Sequence, residues 1–404
     1  MTMPLSPPLI HLVRPLAGLS LLLAGTAAMA ETQAGADLAV TGGYATNPYG
    51  GTGGNHGSAT LTGTFSPSVI MTSPTGTTRL GGQVTHTEYS KRYSGTTSYN
   101  VGGSTSQQIS PLTTLTGSAG FNSSVNNAFY PIYDPIGGIP TDPNAPIIVD
   151  PSGGTYFGQR TESLYGSLGV STSLSPRDSV SVSGRISDVT YPNSLSTFNR
   201  GFTSYGGGLT YNRLIGRDTS IGLNVDVSRA DYRGGSLGDS TQISPNLVFA
   251  TRLAPRLSFN LSAGVTLADT NVLGGSSRRT YLSGSANLCN EGDRSSLCAS
   301  LSRSVAPTSF AGTSAVTAFG LSHNYKLDTR SEISTRLSYS KADSIEGLRR
   351  SSDYGTASVG YNRRLTQRLA ATLQLSYSDS FNQTFSRGSN FYGAAGIRYR
   401  LGNL

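Results

Sequence analysis

Basic residues recur in this chain one position ahead of a leucine: Arg252-Leu253, Lys326-Leu327, Arg364-Leu365 and Arg400-Leu401. A cation set repeatedly beside a fixed hydrophobic position is a charge held at one height of a repeating architecture. Its elementary chemistry is to attract anions. Groups for covalent or metal chemistry are sparse. Three histidines lie beyond residue 30, His56, His86 and His323, and none stands in a His-x-Ser pattern. No stretch gathers His, Cys and carboxylates at metal-ligand spacing. The residues therefore point to no enzyme and to no cofactor.

Composition narrows the class. The 404 residues include 50 glycines and are 36% hydrophobic, poor in aliphatics for a soluble domain, while 21 Tyr and 13 Phe argue against disorder. Arg14, the apolar stretch Leu16 to Ala27 and Ala28-Met29-Ala30 have the order of a cleavable signal peptide over residues 1–30. That apolar stretch falls short of the roughly 20 residues that a membrane-spanning helix needs. The expected mature chain runs from Glu31 to Leu404, and loss of Arg14 lowers the formal net charge from +8 to +7. Glu31 stands where a lipoprotein would carry cysteine.

The cations are positioned by a repeat. Leu174-Ser-Pro-Arg177, Leu214-Ile-Gly-Arg217, Leu253-Ala-Pro-Arg256, Leu327-Asp-Thr-Arg330 and Leu365-Thr-Gln-Arg368 share the form Leu-x-x-Arg, and Leu288 to Arg294 is an expanded copy. Turns near Ser73-Pro74 and Ser110-Pro111 continue the series upstream. Between turns, apolar and polar residues alternate: Leu257, Phe259, Leu261, Ala263, Val265 and Leu267 oppose Ser258, Asn260, Ser262, Gly264 and Thr266. Period two means β-strand. Short turns at one end and longer Gly/Ser/Asp loops at the other are the asymmetry of outer-membrane barrels. The expected fold is all-β, a closed antiparallel transmembrane β-barrel of about 18 strands (16–20). The first strand is expected near Ala36 to Tyr49 and the last near Phe391 to Leu401. A secreted β-propeller would need large buried side chains on both faces, whereas here one face is Ser, Thr, Gly, Asn and Gln almost throughout.

On the polar face we place Arg79, Arg185, Arg252, Lys326, Arg336, Arg364, Arg368, Arg398 and Arg400, against Asp226 and Glu332. Such a lumen would favour anions, although Arg serves equally as a plain polar lining. The stretch 126–160, with six prolines and with Asp134, Asp142 and Asp150, falls between the fifth and sixth strands. It is similar to the third external loop of general porins, which folds inward and narrows the channel. A loop that stays outside is the competing reading. Asp188, Asp231, Asp269, Asp343 and Asp379 each lie 11 to 14 residues past a turn arginine, on the lipid-facing parity. They would serve as loop starters, or as ligands sharing divalent cations with lipopolysaccharide phosphates. Cys289 and Cys298 sit symmetrically about the Asp293-Arg294 turn, within disulfide reach across one hairpin.

The last strand resembles the C-terminal signal of outer-membrane proteins read by the barrel-assembly machinery. It departs from that signal in ending on Leu401 and in the overhang Gly402 to Leu404. Over about Thr161 to Leu401 the hairpins resemble barrel proteins encoded beside exopolysaccharide and exosortase loci. The sequence thus implies a porin-like outer-membrane channel for passive diffusion of small, preferentially anionic solutes. The alternative is a conduit or accessory barrel for export of an anionic exopolysaccharide. Expected partners are the outer membrane, lipopolysaccharide, the assembly machinery and the solute or polysaccharide, with no nucleic acid.

Overall fold

A strand that alternates apolar and polar side chains has two unlike faces. Where one face meets lipid, every backbone donor and acceptor must pair within the wall, so the sheet has to close. A computed structural model describes residues 31–51, 55–125, 158–192, 200–235, 238–272, 275–308, 312–343, 352–381 and 388–402. Its first six strands are β1 Glu31–Ala45, β2 Ser58–Ser73, β3 Gly76–Tyr89, β4 Thr96–Ser110, β5 Thr113–Val125 and β6 Arg160–Ser173. Then come β7 Asp178–Thr190, β8 Phe202–Leu214, β9 Thr219–Tyr232, β10 Ser240–Ala254, β11 Leu257–Val272 and β12 Gly275–Glu291. The last six are β13 Ser295–Pro307, β14 Thr313–Lys326, β15 Ser331–Ala342, β16 Ser352–Arg364, β17 Leu369–Ser380 and β18 Asn390–Gly402.

Each strand pairs antiparallel with its sequence neighbours, and β1 joins β18 from Gly35↔Gly402 to Ala45↔Tyr392. The result is a closed 18-stranded barrel. Strand β1 begins at Glu31 and ends at Ala45, earlier than the span Ala36 to Tyr49 that alternation suggested. The chain leaves the wall there because Asn47 N donates to Asn390 Oδ1 (2.8 Å) and Tyr49 packs inward on Tyr89 and Tyr93. The expected signal segment, residues 1–30, lies outside the described residues.

The two faces behave as their chemistry requires. Leu38, Val40, Leu61, Phe65, Leu209, Leu247 and Ile397 are exposed on the outer face. Inward hydroxyls meet across strands: Thr62 and Thr87 at 3.0 Å, Ser118 and Ser167 at 2.7 Å, Ser187 and Ser204 at 2.7 Å, Ser244 and Thr266 at 2.8 Å. Such cross-strand pairs stabilise a polar face without apolar packing. Two buried clusters stand on the inner face at the end away from the short turns. One joins Ala45, Tyr89, Tyr392 and Ala394, and the other Val189, Phe202, Ala230 and Tyr232. Across β12 and β13, Cys289 is bonded to Cys298, with Cα atoms 4.1 Å apart. This closes one local hairpin and ties no distant strands together.

The Leu-x-x-Arg turns explain their own sequence. Leu174 N donates to Asp178 O, Leu327 N to Ser331 O and Leu365 N to Leu369 O, at 2.8–2.9 Å. The residue after the leucine then satisfies two amides that the tight turn leaves over. Ser175 Oγ accepts from Arg177 N (3.1 Å) and Asp178 N (3.0 Å), and Thr366 Oγ1 from Arg368 N (3.2 Å) and Leu369 N (3.0 Å). Asp328 Oδ1 accepts from Arg330 N (2.6 Å) and Ser331 N (2.7 Å). These are Asx- and Ser/Thr-turns. The Arg330 amide holds the Asp328 carboxyl below the usual carboxylate range. A depressed carboxyl stabilises its turn above the unfolded value, about 3.9, and releases it as pH falls through the folded value. Asp328→Ala should remove hydrogen-exchange protection from the Arg330 and Ser331 amides at pH 7. In the unsubstituted chain that protection should persist to below about pH 3.9.

Candidate functional site: a cation cluster at the periplasmic mouth

The leucines that open the short turns face outward, with Leu253, Leu327, Leu365 and Leu401 all exposed. The residue before each therefore points into the lumen. Short turns mark the periplasmic end. There β14, β16 and β18 bring Lys326, Arg364, Arg398 and Arg400 to one sector, joined by Arg330 and Arg368 from the turns. They line a cavity of about 500 Å³ together with Asp328 and Glu332. Its volume falls in the usual range for small-molecule sites. Arg364 Nη2 donates to Thr329 O (2.9 Å), and Arg400 Nε donates to Asp37 Oδ1 (3.3 Å). Six cations against Asp328, Glu332 and the adjoining Asp37 leave a formal surplus of three positive charges.

Arg398 is the residue to watch. It is 8% exposed, set in register between Ala39 and Ala370, whose small side chains leave it room. Among the described residues its guanidinium makes no hydrogen bond or ion pair. Five N–H donors thus face the cavity.

The remaining sequence candidates are spread around the wall. Arg252 lies on β10, four strands from β14, so it stands apart from the cluster. Arg79 faces Ile70 and Ser104 on β3, and Arg336 lies between Ser322 and Ser358 on β15. Counting Asp226 and Glu332 as the lumen acids omitted Asp37, which is buried opposite Arg400. Asp37 lies inside the expected first strand, and the alternation Asp37, Ala39, Thr41 against Leu38, Val40 was the signal for its lumen position. Arg185 is not a free cation: it meets Asp226 through two hydrogen bonds of 2.5 Å. The pair spans β8, where Gly206 and Gly208 face the lumen. A Cβ on Gly206 would come within 3.3 Å of Arg185 Cζ, and one on Gly208 within 3.4 Å of Asp226 Oδ2. The run Gly206-Gly207-Gly208 was the sequence signal for this bridge.

At the external rim the aspartates have partners. Asp188 receives Arg233 (2.6 Å), Asp231 Arg229 (2.7 Å), Asp269 Arg278 (3.2 Å) and Asp343 Arg303 (2.7 Å). Asp379 accepts from Tyr377 Oη (2.9 Å). Among the described residues no group of three or more His, Cys, Asp or Glu could hold a metal ion. Asp134, Asp142 and Asp150 lie outside the described residues, although β5 and β6 do flank their segment.

A closed edge, an apolar exterior and a polar interior define a porin-like outer-membrane β-barrel. No protein-family model matches the chain, and no curated protein matches it as a relative. Solved structures similar to it include OccK2 (OpdF) of Pseudomonas aeruginosa, 11% identical over 92% of this chain and 98% of that one, TM-score 0.47. A BenF-like porin from Pseudomonas fluorescens Pf-5 is 10% identical over 92% and 99%, TM-score 0.47. OccAB3 of Acinetobacter baumannii is 9% identical over 92% and 99%, TM-score 0.44. At such identity a barrel says nothing of its cargo; the side chains of this lumen must.

Removing Asp226 should leave Arg185 partly buried and unpaired. Asp226→Asn should destabilise the folded barrel by on the order of 2 kcal/mol, between the exposed and fully buried cases. A lower temperature for loss of the fast-migrating folded band in detergent gels would show it. Arg185→Gln/Asp226→Asn should recover most of the loss.

Proposed function

We propose that this barrel is a passive channel for small, preferentially anionic solutes, and that the cluster around Arg398 is where they are drawn through the periplasmic mouth. The observation that carries this is an enclosed, unpartnered guanidinium in a cavity lined by six cations. Its N–H donors are available to an anion or water that enters the cavity. Low-dielectric walls focus the field of the cluster and raise the local anion concentration. A guanidinium fork suits carboxylate or phosphate geometry, so small solutes bearing those groups are the expected cargo. The stepwise spacing of cations along β14, β16 and β18 lets an anion exchange one partner for the next without being trapped. Insertion would proceed through the assembly machinery, with β18 as the strand presented to it.

Planar-bilayer recording in a potassium chloride gradient tests this. The open pore should be anion-selective at 0.01 M salt, where the Debye length is roughly 30 Å, and much less so at 1 M, where it is about 3 Å. Arg364→Ser/Arg398→Ser/Arg400→Ser should shift the reversal potential toward cations. A selectivity unchanged by that triple substitution contradicts the proposal. A barrel that folds but passes no current would favour the polysaccharide-conduit reading.

A further inference from the structure

The lumen cations at the periplasmic mouth stand in rows that run across the strands. In the upper row Lys326 faces Glu332, and in the lower row Arg400 faces Asp37. Each of those cations has a carboxylate beside it. The row between them runs Arg364, Ala370, Arg398, Ala39 and Thr64, across β16, β17, β18, β1 and β2. Arg330 joins its end, where the Arg364 amide donates to Arg330 O (2.8 Å). This middle row carries three arginines and no acid. Like charges facing one another across strands repel, and no group in the row offsets them.

The place for a counter-charge is over Ala370. Neighbouring strands lie about 4.8 Å apart, so Arg364 and Arg398 are set roughly 10 Å apart with only a methyl group between them. Ala370 lines the cavity together with these arginines. Arg368, two residues before it, closes the periplasmic side, and its carbonyl accepts from the Arg400 amide (2.8 Å). Arg398 is 8% exposed, and among the described residues its guanidinium has no partner. Arg364 gives one donor to Thr329 O and keeps the rest of its fork. Three guanidinium groups therefore border one small space from three sides.

Shape and charge decide what fits there. A carboxylate has two oxygens in one plane, and a single fork satisfies it. A phosphoryl group presents three oxygens on a tetrahedron and carries about −1.5 to −2 charges at pH 7. Three forks around one space, with a surplus of positive charge, match the phosphoryl group. The cavity of about 500 Å³ also has room for the organic part of a small ester.

We propose that Arg364, Arg368 and Arg398 form a phosphoryl site over Ala370, which takes free phosphate or a small phosphate monoester in preference to carboxylates. The proposal rests on the channel reading for its route and on the acid-free arginine row for its specificity.

The test reads chloride current through the full-length barrel in a planar bilayer as inorganic phosphate, glycerol phosphate, malonate or acetate is added at pH 7. Phosphate or glycerol phosphate should block at a concentration at least about tenfold below that of malonate or acetate, the return of one more charge-assisted hydrogen bond. Tighter block by glycerol phosphate assigns the site to monoesters, and tighter block by phosphate assigns it to the free ion; each supports the proposal. Malonate or acetate acting at the phosphate concentration would overturn it, since the site would then count charge alone. Arg398→Lys keeps the charge and removes the fork, and Ala370→Leu fills the space between Arg364 and Arg398. Both should keep the fast-migrating folded band and lose most of the phosphate preference. Where one fails to assemble, the other carries the test, and a preference intact in a folded variant would count against the site. The reversal potential in the same membranes tests the channel reading separately. An anion-selective pore without phosphate preference keeps that reading and removes this one. Binding of radiolabelled phosphate to the barrel in detergent needs no current. Saturable binding that acetate displaces only at about tenfold higher concentration would support the site even in a silent barrel. Its absence would overturn the site even in a conducting one.

Discussion

In the hydrocarbon layer no water is at hand for a stray N–H or C=O, and each one left unpaired costs several kcal/mol. Everything else in this barrel depends on that constraint. It forces β1 onto β18 and fixes the register of each pair, because a slip of one residue would exchange the lipid face for the lumen face. With the register set, Leu327, Leu365 and Leu401 face outward, and Lys326, Arg364 and Arg400 must face inward. The cation cluster is thus a consequence of alternation, and its positions need no separate device to orient them.

The same constraint governs what the chain can do with its interior. A lumen of this width cannot be filled by side chains, so its inner face is held by hydroxyl pairs such as Thr62–Thr87 and by the Arg185–Asp226 bridge over two glycines. Near the external end the inner face turns aromatic, with Tyr89 and Tyr392 in one buried cluster and Phe202 and Tyr232 in another. The lumen is therefore graded, with aromatic clusters at one end and arginines at the other.

Strand number, topology and the leucine-flanking cations were legible in the sequence because they are written in local periodicity and in the Leu-x-x-Arg turns. Pairing across strands was harder. Arg185 and Asp226 lie 41 residues apart, and only the glycines of the strand between them hint at the bridge. Asp37 lay inside the expected first strand, but its place opposite Arg400 depends on the β1–β18 closure, which joins residues 363 apart and leaves no local mark. The rim aspartates meet arginines of their own strand, of neighbouring strands or of loops, pairings that alternation alone does not reveal. The early end of the β12–β13 ladder has no local signature; beyond it the β13–β14 end is hydrogen-bonded to Tyr232 of β9, far away in sequence.

Along each strand of this barrel a wet interior alternates with a lipid-facing exterior. Single cysteines at positions 394 to 401, in a chain whose two native cysteines are replaced by serine, measure this directly. The rate of reaction with a charged, membrane-impermeant thiol reagent in intact outer membranes should alternate, fast at 394, 396, 398 and 400 and slow at 395, 397, 399 and 401. An anionic reagent should react fastest at 398 and 400, beside the remaining cations. Uniform rates along β18, or the opposite phase, would contradict it.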